Sequence, residues 1–195
     1  RFDIRDSQAL YASTLDIQLG KKIVDFVKLD IQGAEIFALK GMEKNLNDCL
    51  GVELEVEFSP LYKEQPLFGE INSFLNKKGF EFLDFTNLCR WERYAFNSYG
   101  QNVFGDGIWL RSPEMIRERF SKKYLKYISI CALYGRFDLI DKTLELVKPN
   151  LSKNYMRNLK KLINMQKFTR KANFLFNYLV KIINAEDTTR THLIY

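Results

Sequence analysis

The sequence predicts an α/β domain followed by an all-helical extension, and three observations carry that prediction. Apolar runs at 23–29, 51–58, 80–85 and 102–110 have the length and flanking turns of strands, with helical spacing between the first three. The order strand, helix, strand, helix, strand, strand implies a sheet that ends in an antiparallel hairpin. Beyond Arg111 only helical spacing remains. The charge changes sign at the same place. Residues 1–111 carry 13 Lys and Arg against 17 Asp and Glu, net −4, whereas residues 112–195 carry 17 against 7, net +10. The expected domains are therefore 1–111 and 112–195.

In chain order, Leu10 to Ser13 reads as extended, and Ser13 or Thr14 can cap a short helix. A strand over 23–29 runs into a polar corner at Asp30 to Gln32. The next helix covers about 34–47, interrupted or bent near Gly41, with Ile36, Leu39 and Met42 or Leu46 on one side. Gly51 to Phe58 alternates strictly, with Val52, Leu54, Val56 and Phe58 on one face and Glu53, Glu55 and Glu57 on the other. Three carboxylates at that spacing repel one another, so a wholly buried, unpaired acidic face is untenable. It is either solvated, paired with lysines, or part of a polar pocket.

Pro66 introduces a helix with Phe68, Ile71, Phe74 and Leu75 inward, and Gly79 suits its stop. Phe80 to Phe85 is the third strand, residues 86–100 a polar, aromatic loop, and Asn102 to Leu110 the fourth strand. Gly105 and Gly107 flank Asp106 there and suggest a bulge or close approach. Pro113 starts a helix whose stripe runs from Ile116 through Phe120 and Tyr127 to Cys131, and Gly135 ends it. Further helices are expected at 138–147, 151–166 and 169–184, with a tail over 185–195.

With 195 residues, 46% of them hydrophobic, the chain can bury a core. It has no run of eighteen apolar residues and no secretory leader, so no transmembrane segment is expected. Cys49, Cys89 and Cys131 fit neither a zinc site nor a disulfide framework, which points to free thiols in a reducing, cytoplasmic setting. The chain opens on Arg1 and enters at once what reads as mid-domain sequence, so an N-terminally incomplete domain is expected. The basic tail suits an anionic surface or a protein partner, although solvated helical Lys and Arg explain its charge more simply. Its aromatics sit at helical core spacing and it carries no recognised nucleic-acid module, which argues against nucleic acid.

The candidate site is the corner after the first strand. In an open parallel sheet, ligands bind beyond the carboxyl ends of the strands. Asp30 ends a hydrophobic strand, Gly33 allows a sharp turn, and Glu35 falls in the first turn of the next helix, where the macrodipole favours an anion. The simpler reading makes Asp30 a helix cap and Glu35 a surface carboxylate.

A set of ordered motifs then gives a resemblance. Thr14-Leu15-Asp16 is followed by Val24 to Glu35 (VDFVKLDIQGAE) and Leu39-Lys40-Gly41. Gly51 to Phe58 (GVELEVEF), Pro60-Leu61-Tyr62, Gln65 to Phe68, Gly79-Phe80-Glu81 and Gly105 to Arg111 (GDGIWLR) complete it. Over about residues 10–111 this resembles the FkbM-type methyltransferases, S-adenosylmethionine-dependent enzymes with the Rossmann-like class I fold. The resemblance implies that the four strands are the fourth to seventh of that sheet. The cofactor's glycine-rich loop would precede Arg1, since no Gly-x-Gly-x-x-Gly occurs here. It also implies O-methylation of a small-molecule or glycan acceptor, such as a sugar, glycolipid or secondary metabolite.

A hydroxyl acceptor needs a base. His192 stands alone in the tail, so a carboxylate, or a metal-bound oxygen held by carboxylates, must serve. Asp30 is the first candidate, with Glu35 as a second catalytic carboxylate; Gln32, Glu55 and Tyr62 are candidates to hold the acceptor. No dedicated metal site is expected. Tyr62 suits core packing better than a site role, and Asp106 a turn or bulge. The alternative for the whole chain is a non-catalytic, split or decayed methyltransferase half that docks a partner through its basic tail.

Overall fold

The computed structural model describes residue 9, residues 11–62, 64–93 and 99–147, and residues 156, 157, 159–161 and 164. The helix expected at 169–184, the tail with His192, and much of the helix expected at 151–166 lie outside the described residues. The chain divides into two compact units, Arg1–Arg119 and Phe120–Tyr195.

The first unit contains α1 (Leu15–Leu19), β1 (Phe26–Leu29), α2 (Glu35–Gly41), α3 (Glu43–Asp48), β2 (Gly51–Glu57), α4 (Phe68–Lys77), β3 (Glu81–Trp91), β4 (Gln101–Leu110) and α5 (Pro113–Arg119). Its four strands lie in the order β1-β2-β4-β3. β1 pairs in parallel with β2, from Phe26 opposite Gly51 to Leu29 opposite Leu54, and α2 and α3 form the crossover that a parallel pair requires. β4 is antiparallel to both β2 and β3, so the sheet ends in the expected hairpin. The core packs Val27, Val52, Leu54, Val56 and Trp109 of the sheet against Ile36, Leu39, Met42 and Leu46, and against Ile71 and Leu75 of α4. Val27, Val52 and Trp109 are register partners across three strands, so one apolar row runs over the sheet.

The interruption or bend expected near Gly41 is an interruption. Met42, with φ −120°, closes α2 and opens α3, and among the described residues no side chain at that position caps α3. Asp16 of α1 does so from a distance: its carboxylate accepts Lys44 N (2.9 Å), Asn45 N (3.1 Å) and Asn45 Nδ2 (2.9 Å). Burial alone would raise the proton affinity of Asp16, but the Asn45 amide and the two backbone N–H groups prevail and lower it. A carboxylate with a depressed folded pKa contributes stability above its unfolded pKa, near 3.8, and loses it as pH falls through the folded value. Asp16→Ala is therefore expected to cost about 1 kcal/mol in urea unfolding at pH 7. The difference from wild type should close in strong acid.

Three elements differ from expectation. β1 starts at Phe26 rather than near residue 23. β3 runs on to Trp91, so residues 86–91, expected as loop, are strand. β3 is the edge strand next to β4, and the side chains of 86–91 are mostly exposed, so this arm carries no buried period-2 signal. Two irregularities leave an extra residue in β3, Leu83 and Thr86, the second beside Gly107, and a third leaves Val103 extra in β4. A Cβ on Gly105 would come within 2.6 Å of Asn87 O, and one on Gly107 within 2.7 Å of the Trp109 ring, so the expected close approach is present.

The helix expected from Pro113 to Gly135 is the third. It is α5, then a 3-10 turn at Ser121–Lys123, then α6 (Tyr124–Leu133), with Phe120 at φ −123° interrupting the helix. A break that preserves side-chain spacing is invisible to periodicity.

Arg111, just beyond β4, is buried. Its Nε donates to Cys49 O (3.1 Å), one Nη to Leu46 O (3.0 Å) and the other to Lys78 O, and its guanidinium stacks 3.7 Å from the centre of the Phe80 ring. One side chain thereby closes the carboxyl ends of both α3 and α4, where helix carbonyls lack partners.

In the second unit α6 and α7 (Phe137–Val147) form a helical hairpin turned at Gly135, with φ +65°. Tyr127, Cys131, Ile140, Thr143 and Leu144 are buried there. All three cysteines are free thiols. Among the described residues no helix is long and apolar enough to cross a membrane.

Candidate functional site

Because β1 and β2 run in parallel, their carboxyl ends meet at one edge of the sheet, and the corner after β1 faces the end of β2. The chain turns that corner through two consecutive left-handed residues, Gln32 (φ +58°) and Gly33 (φ +93°). The second is glycine, but the first is not, and a non-glycine residue in this region costs about 1 kcal/mol or more.

Neither half of the simpler reading describes the corner. Asp30 is exposed and does not cap α2, whose N-cap is Ala34 with no side-chain hydrogen bond among the described residues. Glu35 is only 1% exposed, and its Oε1 accepts Ile31 N at 2.8 Å, tying the corner back onto the first turn of α2. Its other oxygen, Oε2, is buried without a hydrogen-bond partner among the described residues.

Gln32 joins the remaining candidates. Its Nε2 donates both to Asp30 Oδ1 (3.2 Å) and to Glu55 Oε2 (3.1 Å), and its Oε1 accepts the Tyr62 hydroxyl at 2.9 Å. Tyr62 is thus partly exposed and hydrogen-bonded at the corner, not a core side chain.

Gln65 was not among the sequence candidates. Its Oε1 accepts Leu61 N (3.0 Å) and Tyr62 N (3.1 Å), which fixes the loop that carries Tyr62. The same side chain lies against Gly33, where a Cβ would come within 2.5 Å of Gln65 Nε2. Its sequence signal is its place before Pro66 at the head of the Gln65 to Phe68 motif. Gly33→Ala should cost about 1–3 kcal/mol through φ +93° alone. It should also displace Gln65 and the Tyr62 loop, which amide chemical shifts of residues 61–65 would report.

Beside the corner lies a cavity of about 480 Å³ whose lining includes Leu15, Leu29, Ile31 and Phe37. Leu29 and Ile31 flank Asp30, so the cavity borders the polar cluster.

Residues 6–82 match the family model of the methyltransferase FkbM domain. No curated protein and no solved structure matches the chain. The match bears out the resemblance read from the ordered motifs. It contains Asp30, Gln32, Glu35, Glu55, Tyr62 and Gln65, and ends before β4 and the helices that follow.

Within the matched segment the acidic face of β2 is neither solvated nor fully paired. Glu53 accepts a hydrogen bond from Lys28 Nζ at 2.9 Å, and that bond raises the proton affinity of the lysine. Glu57 is 1% exposed; burial, then the charge of Glu35, raises its pKa. Glu55 lies directly opposite Asp106 of β4. Burial, followed by the charges of Asp30, Glu57, Glu35 and Asp106, pushes its carboxyl up to about 7. The conflict posed by a buried acidic face is thus resolved by a counter-charge at Glu53 and by tighter proton binding at Glu55 and Glu57. Among the described residues no three His, Cys, Asp or Glu side chains converge to hold a metal ion.

Proposed function

We propose that the protein is an S-adenosylmethionine-dependent O-methyltransferase acting on a hydroxyl of a sugar, glycolipid or secondary metabolite. Its sheet would be the acceptor-side part of a Rossmann-like class I sheet. The FkbM match supports the chemistry, and the parallel pair followed by an antiparallel hairpin supports the assignment of the four strands as the fourth to seventh. The observation that carries the reading is the Gln32 amide held between Asp30 and Glu55 within the matched segment, at the carboxyl ends of two parallel strands. Free thiols fit a cytoplasmic setting.

The cofactor, when bound, supplies a methyl group on a positively charged sulfonium. The corner suits that charge: Asp30 and Glu55 present carboxylates, and Glu35 and Glu57 each hold a buried oxygen without a hydrogen-bond partner among the described residues. The glycine-rich loop for the rest of the cofactor is not found in this sequence. This chain's own residues do the acceptor's work. Tyr62 and Gln32 orient the hydroxyl, the strained turn at Gln32 holds both in place, and a carboxylate at the corner takes the proton.

The test is an amide NMR titration of the full-length protein carrying this sequence with S-adenosylmethionine. Shifts concentrated at residues 29–37 and 55–62 are expected. Saturating shifts confined to the helical unit would contradict the reading.

A further inference from the structure

We propose that Glu55, rather than Asp30, is the group that takes the acceptor's proton, and that Gln32 is the positioning residue that holds it in place. The inference rests on the methyltransferase reading and deepens it.

Asp30 and Glu55 accept from the same Gln32 nitrogen, at 3.2 and 3.1 Å, so both carboxylates border one small region beyond the strand ends. Their surroundings differ. Asp30 is exposed, whereas Glu55 is half-buried in the sheet with acidic groups around it from every neighbouring element: Asp30 after β1, Glu35 on α2, Glu57 on β2 and Asp106 on β4. The nearby cation is Lys28 of β1, which is paired with Glu53 and feels Asp106 and Asp30. Glu57 falls on the same face of β2 as Glu55. Burial and the charge of Glu35 raise its pKa, against the Gln65 side chain, which lowers it.

A base works best when its pKa lies near the working pH, and burial with neighbouring carboxylates places Glu55 there. Gln32 supplies the geometry. Its left-handed backbone, unusual for a residue with a Cβ, aims its amide between the two carboxylates, while Tyr62 donates to the other end of that amide.

The step balances without a further reactant. The acceptor O–H breaks and its proton passes to a Glu55 carboxylate oxygen. The acceptor oxygen forms the new C–O bond as the methyl C–S bond breaks, and that electron pair remains on sulfur. Glu55 then returns the proton to water.

The test is a carboxyl titration by carbon-13 NMR of the full-length protein, labelled at glutamate side-chain carboxyls. One resonance is expected to titrate near pH 7 and to be absent from Glu55→Gln. Asp30→Asn should move that midpoint down by removing a like charge. Gln32→Ala should move it up by removing a donor to the ionised form. A Glu55 midpoint in the ordinary carboxylate range, or one unmoved by Asp30→Asn, would overturn its assignment. A midpoint unmoved by Gln32→Ala would overturn the positioning role. Because the titration needs no cofactor, its failure in a protein that binds S-adenosylmethionine would overturn this proposal alone. Absence of cofactor binding would instead overturn the methyltransferase reading.

Discussion

Arg111→Leu is expected to lower stability by about 3–5 kcal/mol, measured by urea unfolding at pH 7. The side chain satisfies three backbone carbonyls, Leu46 O and Cys49 O at the end of α3 and Lys78 O after α4. Each buried acceptor left without a partner costs about 1–3 kcal/mol. Leucine restores apolar volume but no donor, and it loses the stacking on Phe80. Burial, aided by the positive charge of Arg119, pulls the pKa of Arg111 down to about 10, so the side chain still carries its charge at neutral pH. Arg111→Lys should recover only part of the loss, because one ammonium cannot reach three carbonyls in fixed directions as a planar guanidinium does. A loss below about 1 kcal/mol for the leucine variant would mean that the two helix ends close without this side chain.

Glu55→Gln is expected to slow methyl transfer by about 10²–10⁴-fold, the usual contribution of a positioned base. The same substitution should stabilise the fold at neutral and alkaline pH. Glu55 binds its proton more tightly in the folded state, near pH 7, than in the unfolded chain, near 4.5. Its favourable contribution is therefore complete below pH 4.5 and lost as pH rises through about 7. Glutamine removes that loss, so the variant should pull ahead of wild type as pH rises across this window. Slower transfer combined with greater stability is what a destabilised functional carboxylate produces. Slower transfer with uniformly lower stability would mark Glu55 as a structural residue instead. Thermal unfolding of the two proteins at pH 5 and pH 8 separates these outcomes.

Much of the frame was legible because it depends on local pattern. The alternation from Val52 to Phe58 located β2, the apolar run before Asp30 located β1, and Gly79, with φ +82°, ended α4 as its position implied. The corner was legible as a place, and Gln32, Glu55 and Tyr62 meet there although 23 and 30 residues separate Gln32 from its partners.

What escaped the sequence depends on distant partners. Asp16 caps a helix 28 residues away, and Arg111 reaches back 62 and 65 residues to the end of α3. Neither carries a local mark of that duty. Its place in a first helical turn makes Glu35 read as a surface carboxylate, whereas it is buried and its Oε1 accepts Ile31 N. The strand from 86 to 91 was hidden because its side chains are mostly exposed, so alternation of buried and exposed residues never develops.

The central claim is most directly tested by calorimetric titration of S-adenosylmethionine into the full-length protein that carries this sequence. Saturable binding at one site, displaced by S-adenosylhomocysteine, is the predicted result. No saturable heat at any cofactor concentration up to the millimolar range would contradict it.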